Sequence, residues 1–73
     1  MNDEIFLKKI GENIVKYRKA KGLKQIDLAI KLNMEDSALR RIEKGRINSS
    51  VLKLKKICEE LNVDIKELFD FTG

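Results

Sequence analysis

Three residues, Asn33-Met34-Glu35, separate two stretches of helical periodicity, and this connection constrains the fold more than any other feature of the chain. The first stretch, about Gln25 to Leu32, offers Ile26, Leu28, Ala29 and Leu32 to a core, and the second, about residues 36–44, offers Leu39 and Ile42. So short a link leaves no room for a wide turn, and the two helices must cross steeply. A steep crossing brings backbones together and demands a small side chain at the contact, where Ala29 stands. Leu28, Leu32, Met34, Leu39 and Ile42 then face inward, leaving Gln25, Asp36, Ser37, Arg40 and Arg41 outside.

The flanking sequence completes a helical chain. Phe6, Ile10 and Ile14 recur every four positions, broadened by Leu7, Val15 and Tyr17, which predicts a helix from about Glu4 to Lys21. Gly22 supplies its left-handed stop, after Lys19 and Lys21 have put positive charge in the last turn. Gly11, inside this helix, costs about 1 kcal/mol relative to Ala, so a neighbouring element is expected to approach closely there. Asn33 and Gly45 end the second and third helices, and Glu35 stands at the N-terminal cap of the third. After a polar loop at 46–50, Ser49 or Ser50 caps a fourth helix reaching about Leu61, with Val51, Leu54, Ile57, Cys58 and Leu61 as its stripe and Asn62 at its close. Asp64-Ile65-Lys66-Glu67 fits a capping box opening a fifth helix over about 65–70. No strand alternation, linker or repeat interrupts the pattern, so one all-α domain of five short helices is expected over residues 1–73.

Composition narrows the function. A chain of 73 residues hides only about 60% of the surface its unfolded form exposes, which leaves a thin core. Cys58 is the only cysteine and there is no histidine, which removes disulfides, the usual zinc spacings and every His-based catalytic arrangement. Paired acid and base, nucleophile elbow and metal cluster are all missing, so enzymatic activity, a cofactor and a small-molecule effector are not expected. No secretory signal and no apolar run near the ~20 residues of a membrane span is visible, which points to a reducing, cytoplasmic setting without a membrane partner. The net charge of +4 is unevenly spread: residues 1–48 hold twelve Lys/Arg against seven Asp/Glu, and residues 49–73 hold four against five. A basic front and a neutral back suit a domain that lays one face on a polyanion, although a solvated lysine-rich surface has the same composition.

Small, apolar and polar positions in this order form a helix-turn-helix, whose second helix lies in the DNA major groove. The stretches IGENIVKYRKAKGLKQIDLAIKLNM, LRRIEKGRIN and LKKICEELNVDIKELF resemble the Cro/C1-type, lambda-repressor-like (XRE) family, over residues 11–69. The resemblance implies a five-helix DNA-binding domain and a bacterial or phage-type regulator of transcription acting on double-stranded DNA. It also implies roles for individual residues. Arg18 and Glu43 match a pair that ties the first helix to the recognition helix. Gln25 matches a position whose side chain and backbone N–H meet a phosphate, and Lys24, Arg46 and Asn48 look like further backbone contacts. Ser49 or Ser50 could add another, though capping alone explains either. Asp36, Ser37, Arg40 and Arg41 would form the base-reading surface, with Arg41 the better match to a base contact and Arg40 able to hold a phosphate instead.

Glu35 and Asp36 depart from the family, which usually carries Ser or Thr and then an uncharged or basic residue. Four readings stay open. Glu35 caps the helix while Asp36 favours its positive end; Asp36 pairs with Arg40 four residues on; Asp36 accepts a hydrogen bond from cytosine N4; or the helix meets no DNA. The last keeps a second function in play, a protein-interaction module of the same fold such as an antitoxin-like or adaptor subunit. Ile65, Phe69 and Phe71 fall where little chain is left to cover them, which suggests a dimer contact. The controller proteins of restriction–modification systems, similar in length, usually dimerise through this region. A homodimer would set recognition helices about 34 Å apart, one turn of DNA.

Overall fold

The computed structural model describes residues 1–72, and within them lie four α-helices followed by one 3-10 helix, with no strand. Helix α1 spans Asp3–Ala20, α2 Gln25–Lys31, α3 Asp36–Glu43 and α4 Val51–Leu61; the 3-10 helix covers Ile65–Phe69. Each α-helix ends by the same device. Gly22, Asn33, Gly45 and Asn62 take positive φ (71°, 54°, 70° and 57°). The next residue then donates its N–H back across the turn, Leu23 to Arg18 O, Met34 to Ala29 O, Arg46 to Arg41 O and Val63 to Cys58 O, at 2.9–3.1 Å. These bonds satisfy carbonyls that the helix end leaves open and send the chain off at a sharp angle. Four short helices can therefore fold back on one another with connections of only a few residues.

The 3-10 helix corrects the expectation of a fifth α-helix over 65–70. The capping box does not form: Asp64 makes no side-chain cap bond, and the Glu67 carboxylate instead accepts from Tyr17 Oη at 3.1 Å. Asn13 Nδ2 donates to Leu68 O and Asp70 O, at 2.9 and 3.0 Å. The segment itself stays short and tight, with Glu67 N–H bonding back three residues to Asp64 O at 3.0 Å.

Ile10, Ile14, Leu28, Ala29, Leu39, Ile42, Leu54, Ile57, Cys58, Leu61 and Leu68 form the core. Leu7 and Val15 are only half-buried at its edge, and three residues of the expected stripes are exposed. Phe6 is 38% exposed, Ile26 46% and Val51 70%. Phe6 lies beside the C-terminal aromatics, 6.1 Å from Phe69 and edge-on to Phe71 at 5.5 Å. Val51 is the first residue of α4, before its stripe reaches the core.

Gly11 is where α1 meets the end of α3. A β-carbon there would sit 2.7 Å from the Ile42 carbonyl oxygen and closer still to the Glu43 carbonyl, so no other residue fits without moving a backbone. The expected close approach is thus made by α3, the helix that the sequence assigns to recognition.

Candidate nucleic-acid interface

Two helices of eight residues or fewer cannot hold a fixed angle by propensity alone. Packing and a buried polar cluster do it here. Ala29 is fully buried at the α2–α3 crossing, beside Leu28 and Leu39, also fully buried. Arg18, 8% exposed, reaches across from α1. Its Nε donates to Glu43 Oε2 at 2.8 Å and its Nη2 to Oε1 at 3.3 Å, while Nη1 donates to Leu23 O at 2.9 Å. Gln25 Nε2 donates to the same Glu43 Oε1 at 2.8 Å. One carboxylate, itself 6% exposed, thereby joins α1, the first residue of α2 and the last of α3. The burial of these charges is tolerable because guanidinium and carboxylate face each other with good hydrogen-bond geometry.

That cluster changes the account of Gln25. Its side chain is half-buried and turned inward onto Glu43, so its amide is already engaged. Its backbone N–H lies in the first turn of α2, where helix N–H groups have no intrahelical partner. Beside it Lys24 is exposed at the cap position, where the Asp27 carboxylate accepts its backbone N–H at 2.8 Å. The Lys24 ammonium has three donors and no acceptor, so it returns no bond to the helix.

Helix α3 presents the polar face expected of it. Arg40 and Arg41 are exposed, and Asp36 and Ser37 are half-buried at its start. Glu35 occupies the cap with extended backbone, but its side chain makes no capping bond; its carbonyl accepts from Ala38 and Leu39 instead. The carboxylate is thus exposed and unengaged, against the reading of Glu35 as a side-chain cap. Asp36 Oδ2 stands 3.7 Å from Arg40 Nη2, with both side chains about half exposed. A surface pair of that kind contributes about 0.3–0.5 kcal/mol, enough to bias the Arg40 rotamer and little more. Arg41 has no ion-pair partner among the described residues.

The segment after α3 divides in two. Arg46 and Asn48 are exposed. Arg46 and Lys44 line an open groove shared with Glu4, Lys8 and Glu12 of α1, so carboxylates temper the positive charge on that side. Ser50 is the cap of α4, its hydroxyl accepting from Lys53 N at 3.1 Å. Ser49 is half-buried against an apolar cleft lined also by Phe6, Ile47, Val51 and Phe69. Of the C-terminal apolar residues, Ile65 is 36% and Phe69 42% exposed, whereas Phe71 is half-buried on the core. Sequence reasoning missed two polar anchors, Gln25 as a ligand of Glu43 and Asn13 as the clasp of the C-terminal segment. The signal for Asn13 was a polar side chain next to buried Ile14, four residues before inward-facing Tyr17.

No helix of the described residues is long and apolar enough to cross a membrane, and those residues hold no cluster of three metal-ligating side chains.

Comparison with known proteins agrees with this geometry. Residues 14–68 match the family model HTH_3, helix-turn-helix. Over 62 residues the chain is 44% identical to the HTH-type transcriptional regulator SlrR of Bacillus subtilis (strain 168), covering 84% of this chain and 41% of SlrR. It therefore spans about two-fifths of that relative. Among solved structures, the restriction–modification controller protein C.AhdI from Aeromonas hydrophila superposes with a TM-score of 0.82 at 33% identity, over 86% of this chain and 96% of C.AhdI. SinR, a master regulator for biofilm formation solved in complex with DNA, gives 0.77 at 37% identity, over 84% of this chain and 98% of that one. The family is one of transcription regulators rather than enzymes. A buried Arg18–Glu43 tie, a fully buried Ala29 and an exposed Arg41 are thus the features of a chain that belongs to the helix-turn-helix family HTH_3, of the XRE, Cro/C1 type.

Proposed function

We propose that the chain is a sequence-specific double-stranded-DNA-binding regulator of transcription, with α3 in the major groove and residues 1–73 acting as one helix-turn-helix domain. The observation that carries this reading is Arg41, an exposed guanidinium without an ion-pair partner among the described residues, on a helix whose opposite face is fully packed. In this reading Arg41 donates two hydrogen bonds to guanine O6 and N7, worth about 1–3 kcal/mol of base discrimination. Asp36, Ser37 and Arg40 complete the base-facing set, with Asp36 steadying Arg40 across one helical turn. Lys24, the backbone N–H of Gln25, Arg46, Asn48 and the Ser49–Ser50 pair set the register on phosphates. The likeness to SinR, solved as a complex with DNA, supports it. The setting is the cytoplasm of a bacterial or phage-type host, where the duplex is.

The working form is a two-fold homodimer. Ile65 and Phe69 remain in its interface, Phe71 contributes less because it is half-buried on the core, and Ile47 and Val51 join across the cleft beside Phe69. Selection of bound sites from random duplex DNA tests both parts at once. The expected result is a two-fold site with half-sites one turn, about 34 Å, apart. Enrichment of no sequence would remove the reading.

A further inference from the structure

Ile26 and Ile30 lie four residues apart on one face of α2, 46% and 69% exposed, and nothing in the DNA-reading assignment uses them. They share a shallow depression with Asn33, Met34, Glu35 and Asp36. Single exposed aliphatics need no explanation, but two on one helix face beside Met34 form a continuous patch. Isoleucine also has lower helix propensity than Glu, Gln or Lys, which a helix of only seven residues could use at exposed positions. These side chains therefore do not serve the stability of α2.

The rim says what covers them. Two carboxylates and no Lys or Arg line the depression, in a chain whose net charge is +4. Glu35 caps nothing, and Asp36 is held only by a half-exposed contact of 3.7 Å. Glu35 is free to take a cation, and Asp36 can exchange its exposed contact for one. Phosphate is the wrong partner for an apolar, acidic surface. A second copy is disfavoured too, because the same depression on it carries no Lys or Arg to meet Glu35 and Asp36.

We infer that the Ile26–Ile30–Met34 face docks a basic, amphipathic helical segment of a partner protein, its apolar stripe on the isoleucines and its Lys or Arg residues on Glu35 and Asp36. This is helix-in-groove recognition with complementary charge at the rim. Asp36 is shared with the base-facing set proposed above, so the contact is measured on the chain free of DNA.

The test is a selection from a displayed library of random helical peptides against the full chain. Each enriched peptide is then measured on the native chain, on Ile26→Lys/Ile30→Lys and on Glu35→Gln/Asp36→Asn, all three checked for the same far-ultraviolet circular dichroism. The expected peptides carry apolar residues at three- and four-residue steps flanked by Lys or Arg. They lose at least about tenfold in affinity on the double lysine variant, from the isoleucine burial forgone. On the amide variant they weaken several-fold and lose most of their salt dependence. Acidic or non-amphipathic peptides, equal binding to the lysine variant, or no enrichment at all would overturn the inference. So would self-association of the native chain that the lysine variant abolishes, since the occupant would then be a second copy.

Discussion

Replacing Glu43 by Ala tests whether one carboxylate holds the two-helix motif at its angle. Glu43 is 6% exposed and accepts three hydrogen bonds, two from Arg18 and one from Gln25. Its loss leaves a guanidinium that is itself 8% exposed with the Leu23 carbonyl alone. Removing one partner of a buried pair costs about 3–5 kcal/mol, mostly the uncompensated charge. At about 0.05–0.15 kcal/mol per residue, a chain of 73 residues has about 4–11 kcal/mol in total, so Glu43→Ala brings the domain close to unfolding at room temperature. Gln25→Ala should cost only about 1.5 kcal/mol, the low end for a bond to a charged group, because Arg18 Nη2 still serves the same oxygen at 3.3 Å. Arg18→Met combined with Glu43→Leu should cost clearly less than the two single changes added, since no charge is then stranded. Urea unfolding of the native chain, both singles and the double provides the cycle. A loss below about 1 kcal/mol for Glu43→Ala, with additive singles, would refute the reasoning.

Four further outcomes follow from particular contacts. Gly11→Ala should destabilise by at least about 1–3 kcal/mol, because its β-carbon collides with the Ile42 and Glu43 carbonyls; a neutral melting temperature would contradict that packing. Lys24→Ala and Arg46→Ala should each weaken binding to all duplex sequences alike and lower the salt dependence by about one phosphate, as read by fluorescence anisotropy across salt. The Cys58 thiol, 3% exposed and pushed up by burial, should react with a thiol reagent only as fast as the domain opens, then rapidly in urea. Tyr17 ionises above its ordinary value, chiefly through desolvation and then its bond to Glu67, so the folded state prefers the neutral phenol. The contribution of that group is intact below about pH 10 and is lost as pH rises through the folded value; native-state absorbance should titrate later than in urea.

Much of this arrangement was legible because local chemistry and packing agree. Gly22, Asn33, Gly45 and Asn62 end their helices as the residues predict, since each tolerates positive φ. Ala29 and Gly11 announced the two tight crossings. The errors lie where a side chain chose a distant partner over a near one. Glu67 left its cap for Tyr17, fifty residues away, in a segment that forms a 3-10 turn where an α-helix was expected, and Asn13 took carbonyls from its end. Gln25, expected to meet phosphate, also donates its amide to Glu43, eighteen residues on, a contact that the spacing does not reveal. Periodicity placed Ile26 and Val51 in the core because it counts residues but cannot tell which edge of a stripe lacks a neighbour. Glu35 stood at a cap position without capping, which position alone does not reveal.

The reading of bases by Arg41 is tested most directly by its replacement with Ala, measured on the selected site and on that site with its contacted G·C pair changed. The native chain should prefer the intact site by about 5–150-fold, the equivalent of 1–3 kcal/mol. Arg41→Ala should bind the two sites nearly alike while keeping a steep loss of affinity with salt. Undiminished preference in Arg41→Ala would mean that another side chain reads the duplex.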